Sequence, residues 1–219
     1  MRSILVLNAK GGTGKTTLAV NIAVRYALAG RKVALVDFDS QGSALDWLAR
    51  RPPERAPVHG VDGHAGSARV PRGTELVVLD APAACHGRRL SELLRRAQTA
   101  IVPVIPSAVD LAAAVRFLDE LVEVGRVLRS RVRVATVANR VRERSPGRLE
   151  LEGFLRSLRL PDGRRLPFIA LLRNSQNYVH AAERGLGIFE LPPSRVAHDL
   201  ELWEPLNRWL DSRRSLPAG

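Results

Sequence analysis

Residues 4–19 read ILVLNAKGGTGKTTLA, and the rest of the chain hangs on them. The apolar run from Ile4 to Leu7 has the length of a short buried strand. Lys10-Gly11-Gly12-Thr13-Gly14-Lys15-Thr16-Thr17 follows, and an Ala/Leu/Val-rich helical pattern then runs to Ala29. Strand, glycine loop and helix, in that order, are the setting of a phosphate-binding loop. Glycines at 11, 12 and 14 permit backbone angles and close approaches that a Cβ would block. Successive backbone N–H groups can then curl around phosphate oxygens, over the positive end of the helix. Lys15 would carry a point charge to the β- and γ-phosphates, and Thr16 a hydroxyl to Mg²⁺. Lys10 through Thr17 is therefore the expected nucleotide-binding segment.

The match to G-x-x-x-x-G-K-[ST] is irregular, because Ala9 stands where the first glycine belongs and Lys10-Gly11 follows it. Lysine use sharpens the reading. The chain has 34 basic residues, yet lysine occurs only at 10, 15 and 32. Two ammonium groups in one loop of an arginine-rich chain suit phosphates, where ammonium and guanidinium are not interchangeable. The string K-G-G-T-G-K-T-T resembles the signature of the ParA/MinD superfamily of deviant Walker A ATPases. That resemblance implies a doubly wound α/β fold with a mostly parallel sheet flanked by helices, and ATP with Mg²⁺ as cofactors. It also implies that Lys10 reaches across an ATP-bound homodimer to the partner's phosphates.

Length and composition bound the rest. A chain of 219 residues with 45% hydrophobic content suits one α/β domain spanning 1–219. No apolar run approaches the length of a membrane span, and Met1-Arg2-Ser3 leaves no room for a signal peptide. The single cysteine, Cys85, excludes a disulfide framework and suits a reducing cytoplasm. A net charge of +12 suggests a polyanion as partner, although an Arg-rich genome would produce the same balance.

Strands and helices alternate along the chain, which argues for a parallel sheet covered on both faces. Lys32 to Asp37, Glu75 to Asp80, Ala100 to Ile105, Val132 to Ala138 and Leu166 to Leu171 read as strands. Helices are expected over 43–50, 87–97, 146–159 and 175–185, with Asp110 capping another that runs to Leu128. Leu111, Val115, Leu118 and Val122 should share that helix's apolar face. Residues 51–73 read as an irregular surface segment with one short strand at 58–61, and 213–219 as a flexible tail. His59 and His64 lack the further ligands a metal site needs. A tail helix over 195–212 should break or restart near Pro205. Its stripe of Leu202, Trp203, Leu206, Trp209 and Leu210 faces Asp199, Glu201, Glu204 and Asp211 across the helix. Membrane-surface helices carry Lys and Arg there instead, so docking on the core is expected and stable membrane association is not.

Two further carboxylate motifs end strands. Asp37-Phe38-Asp39-Ser40-Gln41 lies at the C-terminal end of the second strand, where open α/β sheets bind ligands. It resembles the family's D-x-D-P-Q switch I, with Ser40 in place of proline. On that match Asp39 polarises the attacking water and Asp37 supports the Mg²⁺ region. Asp80 ends an apolar strand as a Walker B carboxylate does, and Ala81-Pro82-Ala83-Ala84 resembles switch II. Asn139 resembles the family's adenine-reading Asn, since an amide can both donate to and accept from the base edge. Arg173 to Tyr178 and Gly185-Leu186-Gly187-Ile188-Phe189-Glu190 resemble the closing elements of short partition ATPases. Arg140, Arg142, Arg144, Arg148 and Arg173, with Arg156, Arg159, Arg164 and Arg165 behind them, are the candidate contacts to non-specific DNA.

The resemblance implies a cytoplasmic, nucleoid-associated switch that partitions or positions cargo such as a plasmid, a chromosome origin or a carboxysome. Hydrolysis would be slow until a small adaptor, ParB-like or cargo-bound, stimulates it. The alternatives are a MinD-like membrane switch and a metabolic P-loop enzyme. The nitrogenase iron-protein branch needs two cluster cysteines per subunit, and this chain has one.

Overall fold

In the computed structural model, which describes residues 1–64, 69–127, 132–160 and 162–217, seven strands form one sheet in the order β3-β2-β4-β1-β5-β6-β7. The strands are β1 Arg2–Val6, β2 Val33–Asp37, β3 Val58–Asp62, β4 Leu76–Asp80, β5 Thr99–Val104, β6 Arg133–Val141 and β7 Phe168–Arg173. All neighbouring strands of the sheet run parallel. Between and after them lie α1 Lys15–Leu28, α2 Ser43–Ala49, α3 Gly87–Arg95, α4 Ala108–Val127, α5 Pro146–Ser157, α6 Gln176–Glu183 and α7 Pro193–Asp211.

Strand order reverses direction at β1, with β4, β2 and β3 on one side and β5, β6 and β7 on the other. Ligands of such sheets bind at the C-terminal ends of the strands flanking that point. The period-2 geometry of a strand divides the apolar residues between two cores. Ile4 and Val6 pack with Leu18, Ile22, Trp203 and Leu206 on one face. Leu5 and Leu7 pack with Leu90, Leu94, Phe117 and Leu151 on the other. A strand buried on both faces reads as the continuous apolar run seen at β1 and β4.

The short strand expected at 58–61 is present as the edge strand β3, registered residue for residue on β2. Other expectations need correction. Asp110 does not cap α4. That helix starts at Ala108, and Ser107 supplies the carbonyl that accepts the Leu111 N–H at 2.9 Å. Among its described residues Ala114, Phe117, Leu118 and Leu121 are buried, while Val115 faces outward. Leu128 lies outside the described residues. The last strand starts at Phe168, two positions later than its apolar run, because Pro167 cannot donate to the ladder.

Pro205 sits inside α7 without ending it. The helix stays intact because Trp203, Leu206 and Leu210 are fully buried against the sheet, and tertiary packing holds what one lost hydrogen bond loosens. Asp199 was expected on the solvent side and is instead fully buried. Ser215, beyond α7, is buried; its hydroxyl accepts from Arg2 Nη2 at 2.7 Å and its carbonyl accepts from the Thr99 hydroxyl at 2.6 Å.

Candidate nucleotide site

β1 delivers the chain into the phosphate loop, and α1 leaves it. Asn8 anchors the turn: its Nδ2 donates to the Pro103 carbonyl at 2.8 Å, and its Oδ1 accepts the Lys10 N–H at 3.0 Å. Gly14 caps α1 in the left-handed region at φ 86°, and a Cβ there would lie 2.3 Å from Asn139 Nδ2. A larger residue there would be strained by the backbone angle and would have to displace the Asn139 amide. Lys15 is buried, with its Nζ donating to the Lys10 carbonyl at 3.3 Å. Burial lowers its pKa, while Asp80 and then Asp39 oppose the shift. An ammonium folded back on its own loop in this way is poised to exchange a carbonyl for phosphate oxygens. The switch II stretch lies against the loop. The Ala84 N–H donates to the Ala9 carbonyl at 2.7 Å, and Ala84 holds φ 54°, a conformation that costs a non-glycine residue about 1–2 kcal/mol. Cys85, next to it, is buried, and burial pushes its thiol up to about 11, so it serves as a small packed side chain.

The sheet register brings Val6 and Asp37 beside Asp80 on neighbouring strands. Asp80 is 1% exposed, and both of its carboxylate oxygens are buried without a hydrogen-bond partner. Burial pushes its pKa up to about 7; Asp37 and Asp39 add to this, and Thr16 and Lys15 act against it. Thr16 thus stands close enough to bias the carboxyl without closing a full hydrogen bond. An orphaned carboxylate beside a threonine hydroxyl fits Mg²⁺, which takes one or two protein oxygens, several waters and the phosphates of its nucleotide. Among the described residues no cluster of three or more His, Cys, Asp or Glu is present, and a Mg²⁺ ion bound in this way requires none. Thr16 and Asp80 are the residues that would hold it.

Asp37, beside Asp80 on the neighbouring strand, is held by backbone N–H groups. Its Oδ1 accepts the Asp39 N–H at 2.9 Å, and its Oδ2 accepts the Ala44 N–H at 2.8 Å. It therefore pins the turn and the start of α2 and supports the site by fixing Asp39. Asp39 Oδ1 accepts the Gln41 N–H at 3.0 Å, and the side chain remains partly open to solvent.

Beside the loop a 460 Å³ cleft opens between α1, the end of β6 and the β7–α6 turn, lined in part by Thr17, Asn139, Arg173, Asn174 and Tyr178. Irregular register between β6 and β7 after Ala138 frees Asn139 and Arg140 from the ladder. Asn139 Nδ2 donates to the Thr13 carbonyl at 2.8 Å, and Arg140 Nη1 donates to the Gly12 carbonyl at 2.9 Å. Both side chains thus brace the phosphate loop as well as bordering the cleft. The far wall depends on the glycine element. A Cβ on Gly185 would lie 2.4 Å from the Arg50 carbonyl carbon, and Arg51 ties this turn to Glu190 through a buried ion pair at 2.9 Å.

The model of the CobQ/CobB/MinD/ParA nucleotide-binding domain matches residues 4–188. The chain belongs to that family. It is 33% identical over 193 residues to the "Maintenance of carboxysome distribution protein A" of Gloeobacter kilaueensis, covering 86% of this chain and 84% of that protein. It is also 33% identical over 167 residues to the "Chromosome-partitioning ATPase Soj" of Thermus thermophilus, covering 61% of this chain and 67% of that one. In fold it is similar to the septum site-determining protein MinD of Pyrococcus horikoshii, solved with Mg-ADP, at a TM-score of 0.66 and 21% identity over 96% of both chains. The CobQ/CobB/MinD/ParA fold and its nucleotide-binding domain are thus established for this chain, and its family is one of ATPases.

Of the arginines singled out for DNA, the structure separates three kinds. Arg142 and Arg144 are exposed. Arg140 and Arg148 are engaged with backbone carbonyls, at Gly12 and Glu143. Arg173 is committed: its Nε donates to Asp199 Oδ1 at 2.6 Å, and Ser175 and Asn177 also donate to that buried carboxylate. It therefore organises the cleft wall. Farther along, Arg156 pairs with Glu152, Arg159 donates to the carbonyls that end α5, and Arg164 pairs with Asp162. Sequence reasoning missed Asn8 and the bracing role of Arg140. The signal for Asn8 was its place one residue before the irregular Ala9.

Proposed function

We propose that this chain is a ParA-like ATPase that pairs into a homodimer on binding ATP with Mg²⁺, binds DNA without sequence preference, and releases it when a small adaptor stimulates slow hydrolysis. Such a cycle positions cargo over the nucleoid in the cytoplasm. The observation that carries the proposal is the paired-lysine loop set over the orphaned Asp80 carboxylate. Lys15 and the loop N–H groups would hold the β- and γ-phosphates, and Thr16 and Asp80 would hold the ion that neutralises them. Asp39 would orient the water in line with the γ-phosphate, from a position fixed by Asp37. Lys10 would reach the partner's nucleotide. Asn139 and the cleft beside it would take the base. The +12 charge and the exposed Arg142 and Arg144 support the DNA step. Similarity to a carboxysome distribution protein and to a chromosome-partitioning ATPase supports cargo positioning.

Light scattering of the wild type and Lys10→Ala with ATP, ADP and no nucleotide tests the switch. Dimer with ATP alone in the wild type, and monomer with retained nucleotide binding in Lys10→Ala, is the expected result. ATP-dependent dimers of Lys10→Ala would remove the proposed role of Lys10. The membrane alternative loses its main sequence feature, because Trp203, Leu206 and Leu210 face the core and no helix among the described residues is long and apolar enough to cross a membrane.

A further inference from the structure

A second cleft, of 420 Å³, lies at the N-terminal ends of β6 and β7, away from the phosphate loop. Its lining includes Arg133, Arg164, Arg165 and Arg214, together with Trp209 and Pro167. Arg133 opens β6 while Asn139 lies near its other end, so the two clefts are separated by about 20 Å of strand. Among the described residues, no acidic one lines this cleft.

The pairing of its arginines sets it apart. On this protein many arginines are spent on carboxylates, as Arg25, Arg31, Arg51 and Arg173 are. In the cleft, Arg133 is oriented by donating its Nε to the Leu216 carbonyl at 3.0 Å, and Arg164 by Asp162. The Arg165 and Arg214 side chains make no hydrogen bond or ion pair with any described residue, and both residues are exposed. Two oriented and two unspent guanidinium groups thus surround a half-buried indole. Guanidinium forks match phosphate oxygens, and an indole face stacks a planar base. The volume falls in the range of small-molecule sites.

The geometry points to a second ligand site in this cleft, for a phosphorylated base: its phosphate on Arg165 and Arg214, and its ring against Trp209. A free mononucleotide and the phosphorylated end of a single strand share that chemistry. This site does not depend on the switch reading above, because it uses none of the phosphate-loop residues.

The full chain is titrated calorimetrically with AMP, adenosine, inorganic phosphate and a 5′-phosphorylated oligothymidylate, with tryptophan emission recorded in parallel. One saturable AMP site per chain is expected, with quenched emission. Affinity should fall about tenfold or more in Arg165→Ala/Arg214→Ala and hold in Lys15→Ala, since charge-assisted contacts to phosphate are the strong ones. Saturation by the oligonucleotide but not by AMP, with the same dependence on Arg165 and Arg214, assigns the strand end as the source and also supports the site. The site is overturned if neither saturates, or if Lys15→Ala abolishes binding while the double arginine variant keeps it. It is also overturned if inorganic phosphate binds as tightly as AMP. Both arginines are exposed, so their removal leaves the core intact.

Discussion

Replacing Asp80 with Asn should move stability and activity in opposite directions at alkaline pH. In the nucleotide-free protein the Asp80 carboxyl is buried without a partner, and its pKa is pushed up to about 7 from an ordinary value of 3.8. Between those two values the native state binds a proton that the unfolded chain has released. Stability therefore falls as pH rises through this window, and the loss is complete above about 7. Integrating the two titrations from about pH 5 to about pH 8 gives a loss of about 2–3 kcal/mol attributable to this one group. Asp80→Asn cannot ionise and should lack that component. Urea unfolding of both proteins at the two pH values, without nucleotide and Mg²⁺, isolates it as the change in their difference. This difference of differences cancels every group the two proteins share, and it tolerates a constant cost from the buried amide. Adding Mg²⁺ and ATP should restore the wild type selectively, with proton release on binding near neutral pH, while Asp80→Asn loses Mg²⁺-dependent hydrolysis. A stability difference that stays flat from pH 5 to pH 8 would show that Asp80 is already ionised and satisfied, and would end its assignment as an unfilled cation ligand.

Gly14→Ala should abolish nucleotide binding, because the added Cβ meets Asn139 Nδ2 at 2.3 Å in a left-handed backbone; calorimetry with ATP checks this, and retained affinity would mean the loop can shift freely. Arg173→Ala leaves the fully buried Asp199 carboxylate with only Ser175 and Asn177 as donors and should destabilise by about 3 kcal/mol or less in urea unfolding, with Arg173→Ala/Asp199→Asn recovering part of it. Burial raises the Asp199 pKa, but its bonds to Arg173 and Asn177 outweigh that and hold it below the ordinary value, so this contribution persists at neutral pH and is lost as pH falls through the folded pKa. Arg142→Ala/Arg144→Ala should weaken ATP-dependent DNA binding uniformly across sequences and reduce the salt slope by about 2; an unchanged slope would place the DNA surface elsewhere.

Much of this protein was legible in order along the chain. The phosphate loop, the carboxylate ending β4 and the parallel alternation are local patterns. A glycine string needs its strand before it and its helix after it, and a doubly buried strand is apolar throughout. Two lysines among 34 basic residues marked the loop without any coordinates. Chain order could not reveal what distant segments do to one another. Asp37 and Asp39 stand two residues apart in the text, yet only the fold shows that α2 turns back so that its first N–H groups donate to Asp37 and leave Asp39 at the solvent edge. Arg173 looks like one more surface charge until α7 brings Asp199 beneath it. Pro205 is a helix breaker by propensity, and Trp203 with Leu206, anchored in the sheet, overrules it. Propensity and pattern act over a few residues, whereas burial is set by whichever element arrives on the other side. The sequence could therefore name the phosphate-binding chemistry, and only the packed structure could assign each charge to a partner or leave it without one.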